Sequence, residues 1–199
     1  YKTALRRGEK FDPTGAVSPS DIRNNRSHYV YLGADHSFRP DLTASVRFGG
    51  QYVEYVNNPA AENTISPYVD ANMTYTYLTG SFVQLGLRHA RNPTDVGVNP
   101  GSTNVTLDQE STSVYAQLNH RITPSLTGNL LAQLQSSTFN GGPNDGQSDS
   151  FYLVGLNLSY RFNPFLSAEA GYNYDRLSSD ISGRNYARNR VYLGKLPAT

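Results

Sequence analysis

Asp35, Arg47, Asp70, Arg88, Arg121, Arg161, Glu169, Asp175, Arg188 and Arg190 occupy one parity of segments whose other parity is apolar. Arginines facing carboxylates across a lumen would build a transverse field that favours anions. The same side chains could instead pair between neighbouring strands and stiffen a wall. Other chemistry is sparse. His36 and His120 each stand two residues before the apolar residue that ends a segment at a short turn. That shared position suggests imidazoles at a membrane interface, and their separate hairpins argue against a shared metal. His28, with Asp21 or Asp35 not far away in sequence, is the single trace of an outer-membrane protease or lipase arrangement, and nothing else supports a dyad or triad, serine being merely abundant. "NGGPNDGQSDS" holds Asp145 and Asp149 among glycines but lacks the acidic spacing and closing Glu of an EF-hand. The N-x-S/T matches at Asn25, Asn72, Asn104 and Asn157 read as chance, because two fall in mid-strand. No catalytic residue, metal or cofactor is expected.

The segments that must carry these residues are strands. Sustained helical periodicity is lacking and alternation with period 2 is everywhere. In "YRFNPFLSAEAGYNY", Leu166, Ala168, Ala170, Tyr172 and Tyr174 alternate with Ser167, Glu169, Gly171 and Asn173. The same rhythm runs through Val30 to Phe38, Leu42 to Tyr52, Val69 to Tyr77 and Val83 to Leu87. It continues through Val114 to Ile122, Leu126 to Leu134 and Tyr152 to Phe162. A further strand is expected over roughly Tyr186 to Leu196, and a weaker one between Tyr1 and Lys10. Short turns near 39–41, 78–80, 123–125 and 163–164 alternate with longer polar loops at 57–66, 91–110, 140–149 and 177–185. Tight at one end and long at the other, this is the plan of an all-β, antiparallel up-and-down barrel of about ten strands. The strands read as roughly 10–14 residues, and about 9–11 tilted residues cross a bilayer. No linker divides the 199 residues, so a single domain is expected, as a whole barrel or the C-terminal portion of a longer one.

Composition narrows the solvent. Charged residues are 17%, and the net charge of +1 gives no reason to expect nucleic acid as a partner. Cysteine is absent, which excludes disulfides and thiolate chemistry. No apolar run is long enough for a membrane helix, and no charged-then-apolar leader opens the sequence, so a cleaved or absent signal peptide is expected. A soluble barrel would show water a face rich in Lys and Glu. Here that parity carries Thr43, Ser45, Gln51, Asn72, Gln84, Gln117, Asn119, Asn129, Gln133, Asn157 and Asn173, which suit a wet lumen or a polar plug.

The apolar parity is therefore expected to face lipid, through Val30, Leu32, Val46, Phe48, Met73, Leu85, Leu118, Leu130, Val154, Leu156, Leu158 and Ala170. Aromatic belts should flank it. Phe38, Tyr77, Phe82, Phe162 and Phe165 gather near the short turns, and Tyr29, Tyr52, Tyr68, Phe139, Tyr152, Tyr172 and Tyr174 near the loops.

The hairpin rhythm, "SFVQLGLRH", "YRFNPFLSAEAGYNYDR" and "RNYARNRVYLG" together resemble the bacterial outer-membrane barrels grouped as putative β-barrel porin 2, over roughly residues 28 to 194. Members of that family are usually longer, and the resemblance supplies no catalytic residues. The expected function is a passive, porin-like channel for small polar solutes in the outer membrane of a Gram-negative-type bacterium. Outer-membrane lipid is the expected partner, with other outer-membrane or periplasmic proteins as further candidates. Two alternatives stand beside it: a structural or interaction barrel with a plugged lumen, and a soluble ligand-binding barrel with the apolar set inside.

Overall fold

The structure is a computed structural model that describes residues 2–4, 24–58, 61–94, 96 and 106–197. The alternating segments form β1 (Lys2–Ala4), β2 (Asn25–Arg39), β3 (Leu42–Tyr55), β4 (Thr64–Leu78) and β5 (Ser81–Pro93). They continue as β6 (Asp108–Arg121), β7 (Leu126–Asn140), β8 (Ser148–Asn163), β9 (Leu166–Ser179) and β10 (Tyr186–Pro197). Each strand pairs antiparallel with the next, so spatial order follows chain order across a 10-stranded sheet. Several strands run past the expected length, β8 reaching 16 residues. Of the segment between Tyr1 and Lys10, β1 is the described part; Tyr1, the rest of that segment, Asp21 and Asn104 lie outside the described residues.

Among the described residues β10 does not pair with β1 or β2, so the sheet is not closed. The outer parity shows where neighbours are missing. Val30 on β2 and Leu193 on β10 are 80% and 84% exposed, against 38% and 49% for Leu130 and Leu156 in the middle of the sheet.

Register aligns the apolar parity into rows that cross the strands. Val83, Leu118, Leu130, Leu156, Tyr172 and Val191 face one another in succession. Two rows further towards the loops, Leu87, Val114, Leu134 and Tyr152 form the last apolar row. The next is His89, Thr112, Ser136, Ser150 and Ser178, polar throughout. An apolar band thus ends at one level on β5 to β8, and one row earlier on β9, where Arg176 faces Tyr152. Among the described residues thirty large apolar or aromatic side chains are exposed and six hydrophobic residues are buried. Such a surface has no stable contact with water. A soluble barrel would need this apolar set covered, and among the described residues nothing covers it.

The short turns explain the aromatic belt next to them. The β2–β3, β4–β5 and β8–β9 turns are each preceded by a bulge that skips one residue of the ladder. The skipped residues are Phe38, Tyr77 and Phe162. A bulge re-aims the extra side chain, and here it presents an aromatic ring at the sheet's turn end. Phe38 packs edge-on against His36 at 4.5 Å, and Phe162 against Tyr160 at 4.9 Å. Tyr77 stacks on His120 with its hydroxyl 2.7 Å from Nδ1.

Four of the expected belt residues are not on the apolar face. Phe82 sits opposite Asn119, Tyr29 opposite Gln51 and Tyr68 opposite Gly49, all on the polar parity. Phe139 is on that parity too and is fully buried. Closeness to a turn or loop in sequence does not determine the side of the sheet on which a ring emerges; only register does.

The polar parity is built from large side chains laid over glycine. A Cβ on Gly86 would run into the Tyr115 ring, and one on Gly171 into the Tyr192 ring. At Gly49 the obstacle is the β2 backbone itself, the Val30 carbonyl and the Tyr31 Cα. Gly155 is covered by Asn173, whose Oδ1 would lie 2.7 Å from an added Cβ. Long polar residues thereby lie along the wall instead of projecting from it. Asn119, Asn129 and Asn157 form a row on this face, which reaches Gly171 and Tyr192. Asn157 Nδ2 donates to the Tyr192 hydroxyl at 2.8 Å.

Two stability outcomes follow for protein refolded in lipid vesicles and unfolded with urea. Leu156→Arg should lower stability by about 2–4 kcal/mol, the penalty of a guanidinium at the bilayer midplane, and Asn157→Arg should be far milder. Gly49→Ala should lower it by about 1–3 kcal/mol, because backbone must move, whereas Gly171→Ala needs only the Tyr192 ring to swing aside and should change little.

Candidate functional site

The polar face has one composition but three levels. All the charged residues singled out in the sequence share it, by register, and they are not gathered into one site. Near the turns lie Arg121, Arg161 and Glu169. Arg161 donates to the Pro124 carbonyl at 3.4 Å, and Glu169 Oε2 accepts from Asn157 at 3.5 Å. Arg121 packs beside Gly80, and its backbone N–H donates to Ser81 Oγ at 2.9 Å.

At mid-height the charges form a cross-strand ladder. Arg47 Nη2 is 3.3 Å from both oxygens of Asp35, and its Nη1 donates to Ser45 at 2.6 Å. Register then places Asp70 opposite Arg47 and Arg88 opposite Asp70. Alternating signs across β2 to β5 give a stripe whose charges largely offset one another locally. Beside it Tyr68 packs edge-on to Tyr29 at 5.2 Å and tilts against Tyr31 at 5.8 Å. The rings expected in a belt thus form an aromatic patch next to the charged ladder.

Near the loops, Asp175 is 1% exposed. It accepts from Arg188 Nη2 at 2.8 Å and from Arg190 Nη2 at 3.1 Å. One carboxylate meets two guanidiniums, so this part of the wall keeps a positive excess. Asp149 Oδ2 accepts from Arg184 Nε at 2.9 Å. Cross-strand pairing and a residual field are therefore both present, at different places on the wall.

Sequence reasoning missed a cluster that ties strands together beyond nearest neighbours. The β4–β5 ladder ends at Val69 opposite His89, two residues short of Pro67 and Arg91. Proline has no N–H to offer the ladder there. The Gln51 side chain of β3 takes its place: Nε2 donates to the Arg91 carbonyl at 2.8 Å, and Oε1 accepts the Arg91 N–H at 2.9 Å. Arg91 Nε stands 3.1 Å from Asp108 Oδ1. The Tyr55 hydroxyl donates to Asp108 Oδ2, and Asn140 Nδ2 donates to Oδ1 at 2.8 Å. β3, β5, β6 and β7 are locked here by side chains. The signal that could have found it was Pro67 inside an otherwise regular strand. In the β9–β10 loop, Asp180 accepts from the Ser148 hydroxyl at 2.6 Å and its amide at 3.0 Å. Those bonds hold its carboxyl below the usual range.

A hydrolase dyad is not assembled from the residues described. His28 lies on the apolar parity opposite Tyr52, and Asp35 lies on the polar parity opposite Ser45. No group of three or more His, Cys, Asp or Glu positioned for a metal occurs among the described residues. Asp145 is engaged within its own loop, accepting from the Gly141 N–H at 2.8 Å.

Comparison with known proteins agrees with this architecture. Among solved structures the chain matches a loop L8 deletion mutant of OmpT, an outer membrane protein of Vibrio cholerae, with a TM-score of 0.53 at 17% identity. The match covers 89% of this chain and 55% of that one, so the chain spans little more than half of its length. No curated protein matches the sequence. The family model described as Putative beta-barrel porin 2 matches residues 109–196, which is β6 to β10 almost entire. The chain is thus similar to outer-membrane β-barrels in fold, and its C-terminal strands to the Putative beta-barrel porin 2 family in sequence.

Proposed function

We propose that this chain forms part of the wall of a water-filled passage for small polar solutes across the outer membrane of a Gram-negative-type bacterium. The observation that carries the reading is the inverted exposure. Leucine, valine and aromatic side chains are exposed on one face, while asparagine, glutamine, tyrosine and the paired charges cover the other. In hydrocarbon every backbone N–H and C=O needs a partner, so the free edges of the sheet, at β10 and along β2 beyond its pairing with β1, must be paired in the assembled barrel. A barrel larger than ten strands leaves more room inside than side chains fill. The glycine-backed tyrosines act in the same direction, because they thin the wall.

Discrimination in this reading is by size, with a weak electrostatic bias. The ladder of Asp35, Arg47, Asp70 and Arg88 is nearly self-compensating, whereas Arg188 and Arg190 share one carboxylate. The bias is therefore towards anions and is set mainly near the loops. Chemistry at a reacting bond plays no part. Lipid is the principal partner, at the apolar band and its aromatic rim.

Purified full-length protein in a planar bilayer should give stepwise conductance with a mild preference for chloride over potassium. Replacing Arg188 and Arg190 by Gln should reduce that preference more than replacing Arg47 by Gln. A protein that inserts but stays electrically silent would contradict the passage and favour a plugged barrel with a structural role.

A further inference from the structure

Two arginines of β10 share one acceptor. Asp175 lies on the polar face of β9 opposite Arg188, and Arg190 is one step nearer the short turns on the same face. Arg188 Nε and Nη2 stand 3.1 Å and 2.8 Å from Asp175 Oδ2, and Arg190 Nη2 donates to Oδ1 at 3.1 Å. On the loop side the Tyr186 ring supports Arg188, its centre 5.6 Å from the guanidinium carbon. Asp175 is buried, whereas the two arginine side chains stay 53% and 47% exposed.

That arrangement leaves donors in reserve. Among the described residues Arg188 Nη1 and both Nε and Nη1 of Arg190 donate to nothing. Both guanidiniums lean onto β9, away from the free edge of β10, so a strand that pairs with that edge meets backbone. Two positive charges and one negative leave the trio with a net positive charge. Neutral Asn173 faces Arg190, and the next carboxylate along this face of β9 is Glu169, beyond the Tyr192 ring that covers Gly171. Towards the loops the next row is Tyr186, Leu177 and Phe151, and Leu153 faces Asp175 from β8. A guanidinium pinned on a buried carboxylate has given up its rotamer freedom before a ligand arrives. Its remaining N–H groups keep the planar fork that matches a carboxylate.

We propose that Arg188 and Arg190 form a binding site for a small organic monocarboxylate with an apolar body. The carboxylate accepts from the unused N–H groups of both guanidiniums, and the body lies against Tyr186, which is 42% exposed. The single net positive charge suits a monoanion. A dianion such as phosphate keeps an uncompensated charge beside Asp175 and gains nothing from the apolar flank, and a cation meets two guanidiniums. The site rests on the reading of the polar face as the side that meets the solute.

Calorimetric titration of the full-length protein in detergent tests it with benzoate, phosphate and benzylamine. Saturable benzoate binding is expected, with phosphate weaker and benzylamine silent. Arg190→Gln should weaken benzoate binding about tenfold. Asp175 keeps its Arg188 bonds in that variant, and heat-modified gel mobility confirms that it is folded. Arg176→Gln removes the same charge from the opposite face of β9, where Arg176 faces Tyr152, and should leave binding unchanged. The proposal is overturned by the absence of saturable benzoate binding, by phosphate or benzylamine binding as tightly as benzoate, or by equal effects of the two substitutions. Detergent titration needs no conduction. A protein that conducts without binding benzoate therefore refutes this site alone, and one that binds benzoate but is electrically silent refutes the passage alone.

Discussion

One register holds the sheet together and sorts its side chains. Val83, Leu118, Leu130, Leu156, Tyr172 and Val191 stand in a single row because each antiparallel pair keeps its phase with the next. A slip of one residue anywhere would send a strand's leucines to the polar face and its asparagines to the apolar one. Backbone pairing and side-chain sorting are therefore one constraint, and a membrane enforces both. Hydrocarbon rejects an unpaired amide as firmly as it rejects an exposed Asn.

That constraint leaves the polar face to solve a packing problem. Large polar residues on a curved wall would fill the interior if they stood upright. Gly86 and Gly171 instead let Tyr115 and Tyr192 lie across the neighbouring strand, and Gly155 does the same for Asn173. The charges are treated similarly, since Arg47 turns onto Asp35 and both Arg188 and Arg190 onto Asp175. Where Pro67 interrupts the ladder, Gln51 reaches over it to serve the Arg91 backbone. The wall is thus lined with groups that hold each other down, and the pair of Arg188 and Arg190 is a place where this internal pairing is incomplete.

The strands, their parity and the hairpin rhythm were legible in the sequence because alternation with period 2 is local information. The aromatic residues separate what is local from what is not. Phe38, Tyr77 and Phe162 sit at bulges before short turns, and proximity to a turn was enough to place them. Phe82, Tyr29, Tyr68 and Phe139 satisfied the same proximity rule yet emerge on the polar face, because the rule ignores parity. For the charged residues, parity was readable but height and partner were not. The Tyr55, Arg91, Asp108 and Asn140 cluster joins strands far apart in the chain, and no spacing within one segment announces it. Tyrosine over glycine is equally hidden, since Tyr115 and Gly86 become neighbours only when β5 and β6 are paired.

The absence of cysteine makes the central claim open to a direct measurement. Spin labels placed one at a time on Val154, Gly155, Leu156, Asn157 and Leu158 in vesicle-reconstituted protein can be relaxed by oxygen from the lipid or by a nickel chelate from water. Strict alternation is expected, with 154, 156 and 158 relaxed by oxygen and 155 and 157 by the chelate. Uniform relaxation along β8, or alternation of the opposite phase, would contradict it.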